Sequence, residues 1–139
     1  MPADTPLGPR SRRRFLAPVA WMGFIFLMSA LPNLSVPAVP GSDWRPPERP
    51  AKKAAHFAEF AVLGLLWSWA LGRPTPRSLA TAVVIAALYG ASDEVHQIWV
   101  PTRHARVFDA CVDALGGAWG AAVWWVVGRS VGRSSAPDE

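Results

Sequence analysis

Four runs of this chain are long and apolar enough to decide what it can fold into: Phe15 to Leu31, Ala54 to Leu71, Leu79 to Ile98 and Val107 to Val127. Crossing the hydrocarbon core of a bilayer takes about 20 helical residues, with a range of roughly 17 to 25. None of the four runs shows the alternation of a strand. A spanning segment must satisfy its own backbone groups, so each is expected as a helix. The expected fold is an all-α membrane protein, four transmembrane helices in a small antiparallel bundle. One domain would cover 15–127, flanked by a basic tail at 1–14 and a second tail at 128–139.

Composition supports this class. Hydrophobic residues make up 51% of the 139 and eight are tryptophan, against 17% charged, which is rich in apolar side chains for a small soluble protein. The single cysteine, Cys111, excludes an internal disulfide and any multi-cysteine zinc site, and is expected as a small buried hydrophobe. A net charge of +4 raises nucleic acid as a partner, but the arginines sit at segment ends instead of on one face. They are better explained by orientation in a membrane.

The connections fit the division. Gly72 to Ser78 carries two prolines and a glycine, enough to end one helix and begin the next as an antiparallel hairpin. Pro32 to Pro50 holds six prolines and is expected as an extended, partly polyproline II loop. With the amino terminus cytoplasmic, the inside would carry Arg10, Arg12, Arg13, Arg14, Arg73, Arg77, Arg129 and Arg133, eight in all. The outside would carry Arg45, Arg49, Lys52, Lys53, Arg103 and Arg106, six in all. Basic residues mark the cytoplasmic side and the first helix usually dominates, so both termini are expected inside. Trp44 and Trp99 would then lie near the outer interface, and Trp67, Trp69, Trp124 and Trp125 near the inner one. SRRRFLA also resembles a twin-arginine export signal, but the apolar run after it is 17 residues, longer than a signal core of roughly 7 to 15, and no A-x-A site follows. An uncleaved first helix is expected.

Against this background the stretch YGASDEVHQIWVPTRHARVFD, residues 89 to 109, is conspicuously polar. On helix 2 the first turns read KKAAHFAEF, placing Lys53, His56 and Glu59 or Phe60 along a stripe. On helix 3, Tyr89, Asp93, His96 and Gln97 share a face with Glu94 on its flank; on helix 4, Asp109 and Asp113 lead into Gly116, Gly117 and Gly120. Three helices thus offer polar groups at one depth, near the outer end. A charge at the bilayer centre costs roughly 2.5 to 3.5 kcal/mol, less near the interface, so several such groups must be paired or wetted. Lys53, Arg103 and Arg106 stand against Glu59, Asp93, Glu94, Asp109 and Asp113; both histidines must be protonated for the tally to balance. With neutral histidines the excess negative charge invites a proton, a metal ion or a cationic group.

Each feature also has a plain structural explanation. The three glycines suit close helix packing, and Lys53, Arg103 and Arg106 suit snorkelling at an interface. Convergence of ionisable residues from three helices nevertheless points to a site. Its chemistry stays open. Acid/base candidates are His56, Asp93 and Glu94, with Asp109 positioning them, but no serine or cysteine stands beside a base as a nucleophile, so the residues do not decide whether the chain is an enzyme. Lys53 and Arg103 would bind an anion, with His96, Gln97 and Asp113 completing the pocket. A divalent metal is compatible with these ligand types although nothing requires a cofactor, and no recognised metal spacing is present.

The runs K-x-x-H-F-x-E-F from Lys53, SDEVHQIWVPTR from Ser92 and D-x-x-x-D-x-x-G from Asp109 resemble the VanZ-like family of small bacterial membrane proteins, over about 64 residues. The resemblance implies signature positions at Lys53, His56, Asp93, Glu94, Gln97, Pro101, Arg103, Asp109, Asp113 and Gly116. Thr102 stands where the family usually has glycine and Arg106 where it commonly has serine, so a role for that hydroxyl does not transfer. The family's name comes from a member linked to low-level resistance to teicoplanin. Two function classes follow: recognition or modification of an envelope lipid or lipid-linked cell-wall precursor, or a non-enzymatic packing or assembly factor whose ion pairs are structural. A proton or ion pathway is a weaker third, because no polar residues continue the cluster to the inner face.

Overall fold

The computed structural model describes residues 12–31, 48–100 and 106–134, with the side chains of 48–52 and 131–134 left aside. Four α-helices make up the described fold: α1 (Leu16–Ala30), entered through a 3-10 turn at Arg13–Phe15, α2 (Glu48–Ala70), α3 (Pro76–Gln97) and α4 (Val107–Ser134). No strand occurs among the described residues. The all-α expectation holds. Two helices, Pro76–Gln97 and Val107–Ser130, are long and apolar enough to cross a membrane. At 15 residues α1 is shorter than a typical span, and α2 opens on Glu48, Arg49, Lys52 and Lys53.

The helix ends differ from the hydropathy boundaries for local reasons. In α2 the helix starts six residues before Ala54, taking in Glu48, Arg49 and Pro50 from the expected extended loop. Proline is tolerated there because the first N–H groups of a helix have no intrahelical partner to lose. The remainder of that loop, 32–47, lies outside the described residues. In α3 the helix begins at Pro76 instead of Leu79: Thr75 accepts from the Ser78 N–H at 3.1 Å, and the Thr75 N–H donates back to Ser78 Oγ at 3.0 Å. This reciprocal cap, with proline at the first helical position, fixes the turn. Gly72, at φ +93°, ends α2 in a conformation that favours glycine. In α4 the helix runs on past Val127 to Ser134, and the Arg129 guanidinium lies 4.4 Å from the Trp125 ring one turn back. Backbone hydrogen bonding does not stop where apolar character does.

The seam between α2 and α4 is the most extensive packing in the bundle; α3 leans on α4, and α1 has the thinnest attachment. Glycines make the seam possible. A Cβ on Gly64 would collide with the Gly117 carbonyl oxygen, one on Gly120 with the Ala61 carbonyl oxygen, and one on Gly116 would lie 2.5 Å from the Phe57 carbonyl oxygen. Small residues therefore let the two backbones touch, the arrangement favoured where lipid removes the hydrophobic drive between helices. Ile25, Phe60, Leu63 and Ala86 form the core, with Trp21, Met22, Trp67 and Tyr89 packed around it. Large apolar side chains also point outward, among them Leu16, Leu88, Leu115 and Trp119. Cys111 is exposed, contrary to expectation, because it lies off the buried Asp113–Gly117 face of α4. Far from the polar stretch, Trp124 Nε1 donates to the Gly72 carbonyl at 3.2 Å and ties α4 to the α2–α3 turn.

Candidate functional site

Polar residues gather at the opposite end, where the first turns of α2 and α4 meet the last turns of α1 and α3. Asp113 is fully buried, and Asp93, Glu94 and Gln97 are nearly so. Asp113 can lie that deep because Gly90 faces it: a Cβ there would come within 2.9 Å of Asp113 Cβ. A missing side chain on α3 thus makes room for a carboxylate from α4. His56, from α2, brings Nδ1 to 3.3 Å from Asp113 Oδ1, within ion-pair range but without an aligned N–H···O bond.

Asp93 has different company. Its Oδ2 accepts from Ser29 Oγ at 2.8 Å and from Gln97 Nε2 at 2.9 Å, while Gln97 Nε2 also reaches Ser29 Oγ at 3.0 Å. Gln97 and Asp93 meet because they are one helical turn apart on α3. Ser29 is the element that charge-based reading of the sequence omitted. Its only sequence signal is a hydroxyl in the last turn of an otherwise apolar helix, and it makes the site a four-helix construction instead of a three-helix one.

Glu94 closes the start of α4, its Oε2 accepting the Arg106 N–H at 2.7 Å. A carboxylate on the free N–H groups of a helix start is a favourable placement. Lys53 Nζ stands 3.5 Å from Asp109 Oδ1 and 3.9 Å from the centre of the Phe108 ring, so the cation expected to bind an anion already has two partners. Both side chains of that pair remain partly exposed, which places them at the rim. His96 turns toward α1 and lies against Phe26, the two rings tilted and their centres 4.4 Å apart. Arg103 and Pro101 lie outside the described residues.

The hydrogen bonds leave a residue of unmet demand. Asp93 Oδ1, Glu94 Oε1, Asp109 Oδ1, both oxygens of Asp113, His56 Nδ1 and His96 Nε2 are buried atoms without a hydrogen-bond partner. Native proteins bury few such atoms, because each forfeits its hydration. The carboxylates also sense one another: Asp93, Asp109 and Asp113 all act electrostatically on Glu94. Among the described residues, however, no three His, Cys, Asp or Glu side chains come together as a metal would require.

The fold is a small helical bundle with two helices long and apolar enough to cross a membrane and a buried polar cluster at one end. The VanZ/LLP1 family model matches residues 14–128, and the chain belongs to that family. No curated protein and no solved structure matches the chain. The matched span takes in all four helices up to Gly128, the resembling runs among them.

Proposed function

We propose that the chain is a multi-pass protein of the bacterial inner membrane, with both termini cytoplasmic, whose polar end faces outward and recognises the headgroup of an envelope lipid or lipid-linked cell-wall precursor. The observation that carries this reading is the set of buried carboxylate and imidazole atoms without a hydrogen bond, supplied by α2, α3 and α4 at one end of the bundle. Ionisable groups are retained at such depth at a free-energy cost, which function explains and packing alone does not. Lys53, at the rim beside Asp109, is one candidate to meet an anion, and Arg103, four residues before α4 in the sequence, is the second. His56 and Asp113 are the pair within ion-pair distance and supply the acid/base capacity of the site.

Asp113→Asn and His56→Gln keep side-chain size while removing charge or basicity. Both are expected to abolish lipid or precursor binding, and any teicoplanin phenotype, while membrane abundance stays at the wild-type level. Unaltered binding in both variants would reject the reading. The orientation is checked separately by thiol labelling of Ser42→Cys and Thr102→Cys in a Cys111→Ala background: both should label from outside the cell, and labelling only from the cytoplasm overturns the topology.

The bonds from Ser29 to Asp93 and Gln97 favour a second reading, an assembly factor in which the polar end only fastens α1 to α3. In that case Asp93→Asn lowers folded protein in proportion to any lost phenotype. The lipid reading expects the phenotype to fall first.

A further inference from the structure

We infer that the buried carboxylates take a primary alkylammonium group, so that the ligand is an amine-bearing headgroup; this rests on the envelope-lipid reading and narrows its substrate class. The argument starts from charge. Asp93, Glu94, Asp109 and Asp113 bring four carboxylates to one end of the bundle, and Lys53 and His56 are the cationic groups within ion-pair distance of any of them among the described residues. Counting those described groups alone, four carboxylates face two cations even with His56 protonated.

The second observation is independent of the clustering. Asp113 is fully buried, its Oδ1 facing His56 Nδ1 at 3.3 Å and its Oδ2 without any partner, and Asp93 and Glu94, 3% and 6% exposed, each hold one oxygen without a hydrogen-bond partner. An ionised carboxylate can only accept, and acceptors shut away from water call for a donor. Gly90, across from Asp113, keeps the face of α3 bare at that point.

The choice of donor follows from spacing. A divalent cation needs several oxygen ligands drawn in to about 2.0–2.6 Å, and among the described residues no three His, Cys, Asp or Glu side chains form a group that could hold a metal ion. An ammonium group reaches further: each of its three N–H donors bonds an acceptor at about 2.7–2.9 Å, so it can bridge carboxylates that a bare ion cannot. Lys53, part-exposed beside Asp109, stands where the phosphate of a zwitterionic headgroup would be met. The described atoms are closed over, and α1, which contributes Ser29 and is the least firmly packed helix, is the element whose displacement admits the ligand.

A primary ammonium occurs both in aminoethyl phospholipid headgroups and in the diamino-acid side chain of lipid-linked peptides. The test uses purified full-length protein in detergent, titrated with short-chain phosphatidylethanolamine, phosphatidylcholine and phosphatidylglycerol, and with Nα-palmitoyl-lysine amide and its Nε-acetyl form. Phosphatidylcholine keeps the positive charge but has no N–H, so it should bind at least about tenfold more weakly than phosphatidylethanolamine, the loss expected on removing charge-assisted hydrogen bonds. Acetylation of the lysine amide should cost as much. Tighter binding of the phospholipid assigns the ammonium to a phospholipid headgroup; tighter binding of the lysine amide assigns it to a lipid-linked peptide. Glu94→Gln should shrink the ethanolamine-over-choline preference, and the wild-type comparison decides the matter should that variant fail to fold. Equal binding of ethanolamine and choline lipids, preference for phosphatidylglycerol, or saturation of the site by calcium or magnesium alone overturns the ammonium while leaving lipid recognition standing. Binding of none of the lipids overturns both.

Discussion

Two stretches of α4 lie within one turn of each other and solve opposite problems. At Gly116 and Gly120 the helix carries no side chain, so that its backbone rests against Phe57, Ala61 and Leu65 of α2. One turn earlier, at Asp113, it buries a carboxylate with no hydrogen bond. The glycine stretch is accounted for by packing, since the absent Cβ of Gly116 and that of Gly120 each correspond to a backbone atom of α2, and that of Gly117 to the Ala86 Cβ of α3. The carboxylate is not: hydrophobic replacement of buried ionic groups is often neutral or stabilising, so packing gives no reason to keep it. What holds the bundle together and what the bundle holds ready are therefore separable along a single helix.

The largest effect should come from breaking the packing side. In Gly120→Val the new side chain would run into the Ala61 carbonyl and the Leu65 N–H, atoms of a helix backbone that cannot rotate away. Overpacking of this kind costs about 1–3 kcal/mol and occasionally more, and a backbone-to-backbone contact belongs at the upper end. Folded yield and thermal midpoint in detergent should both collapse, with lipid binding lost only in step with folded protein. A wild-type midpoint would mean that α2 and α4 are not in contact there.

Gly90→Ala tests the junction between the two regimes. Its Cβ would meet Asp113 Cβ at 2.9 Å and the edge of Phe60 at 3.3 Å, side-chain atoms that can give way. Stability should fall by about 1–2 kcal/mol, at the mild end of overpacking, because the neighbours are movable. Ligand binding should fall by more than that loss of stability accounts for, since the group displaced is Asp113. A fall no larger than the loss of folded protein would place Asp113 with the glycines as a packing element.

The same contrast explains what was legible in the sequence. Helix identity was, because apolar runs of membrane length admit little else, and so was the packing role of Gly116, Gly117 and Gly120, whose spacing of three and four puts them on one face. Helix ends were less so: hydropathy reports where the chain is apolar, whereas the start of α3 is set by Thr75, Pro76 and Ser78, a capping signal lying inside what hydropathy treats as a link. Lys53, His56, Asp93, Glu94, Gln97, Asp109 and Asp113 were legible as polar residues near one end. Their partnerships were not. Periodicity places a residue on a face of its own helix but does not set the rotation of one helix against the next, so nothing in the spacing shows that His56 pairs with Asp113 or that Asp93 faces Ser29.

Ser29→Ala carries the smallest expected effect and sharpens the comparison most finely, because it removes a partner without adding volume. Asp93 Oδ2 would keep its bond from Gln97 Nε2 at 2.9 Å, so the carboxylate is not stripped bare. The loss should be about 1 kcal/mol, the net worth of one hydrogen bond, and not the larger penalty of an uncompensated buried charge. A double-mutant cycle with Asp93→Asn isolates the link: a coupling of about 0.5 kcal/mol or more indicates that α1 is fastened to α3 through this oxygen. Because α1 is otherwise thinly packed, weakening that tether should also speed lipid binding and release while leaving the α2–α4 seam untouched. Coupling near zero with unchanged binding rates would put Ser29 outside the site and return the polar end to three helices.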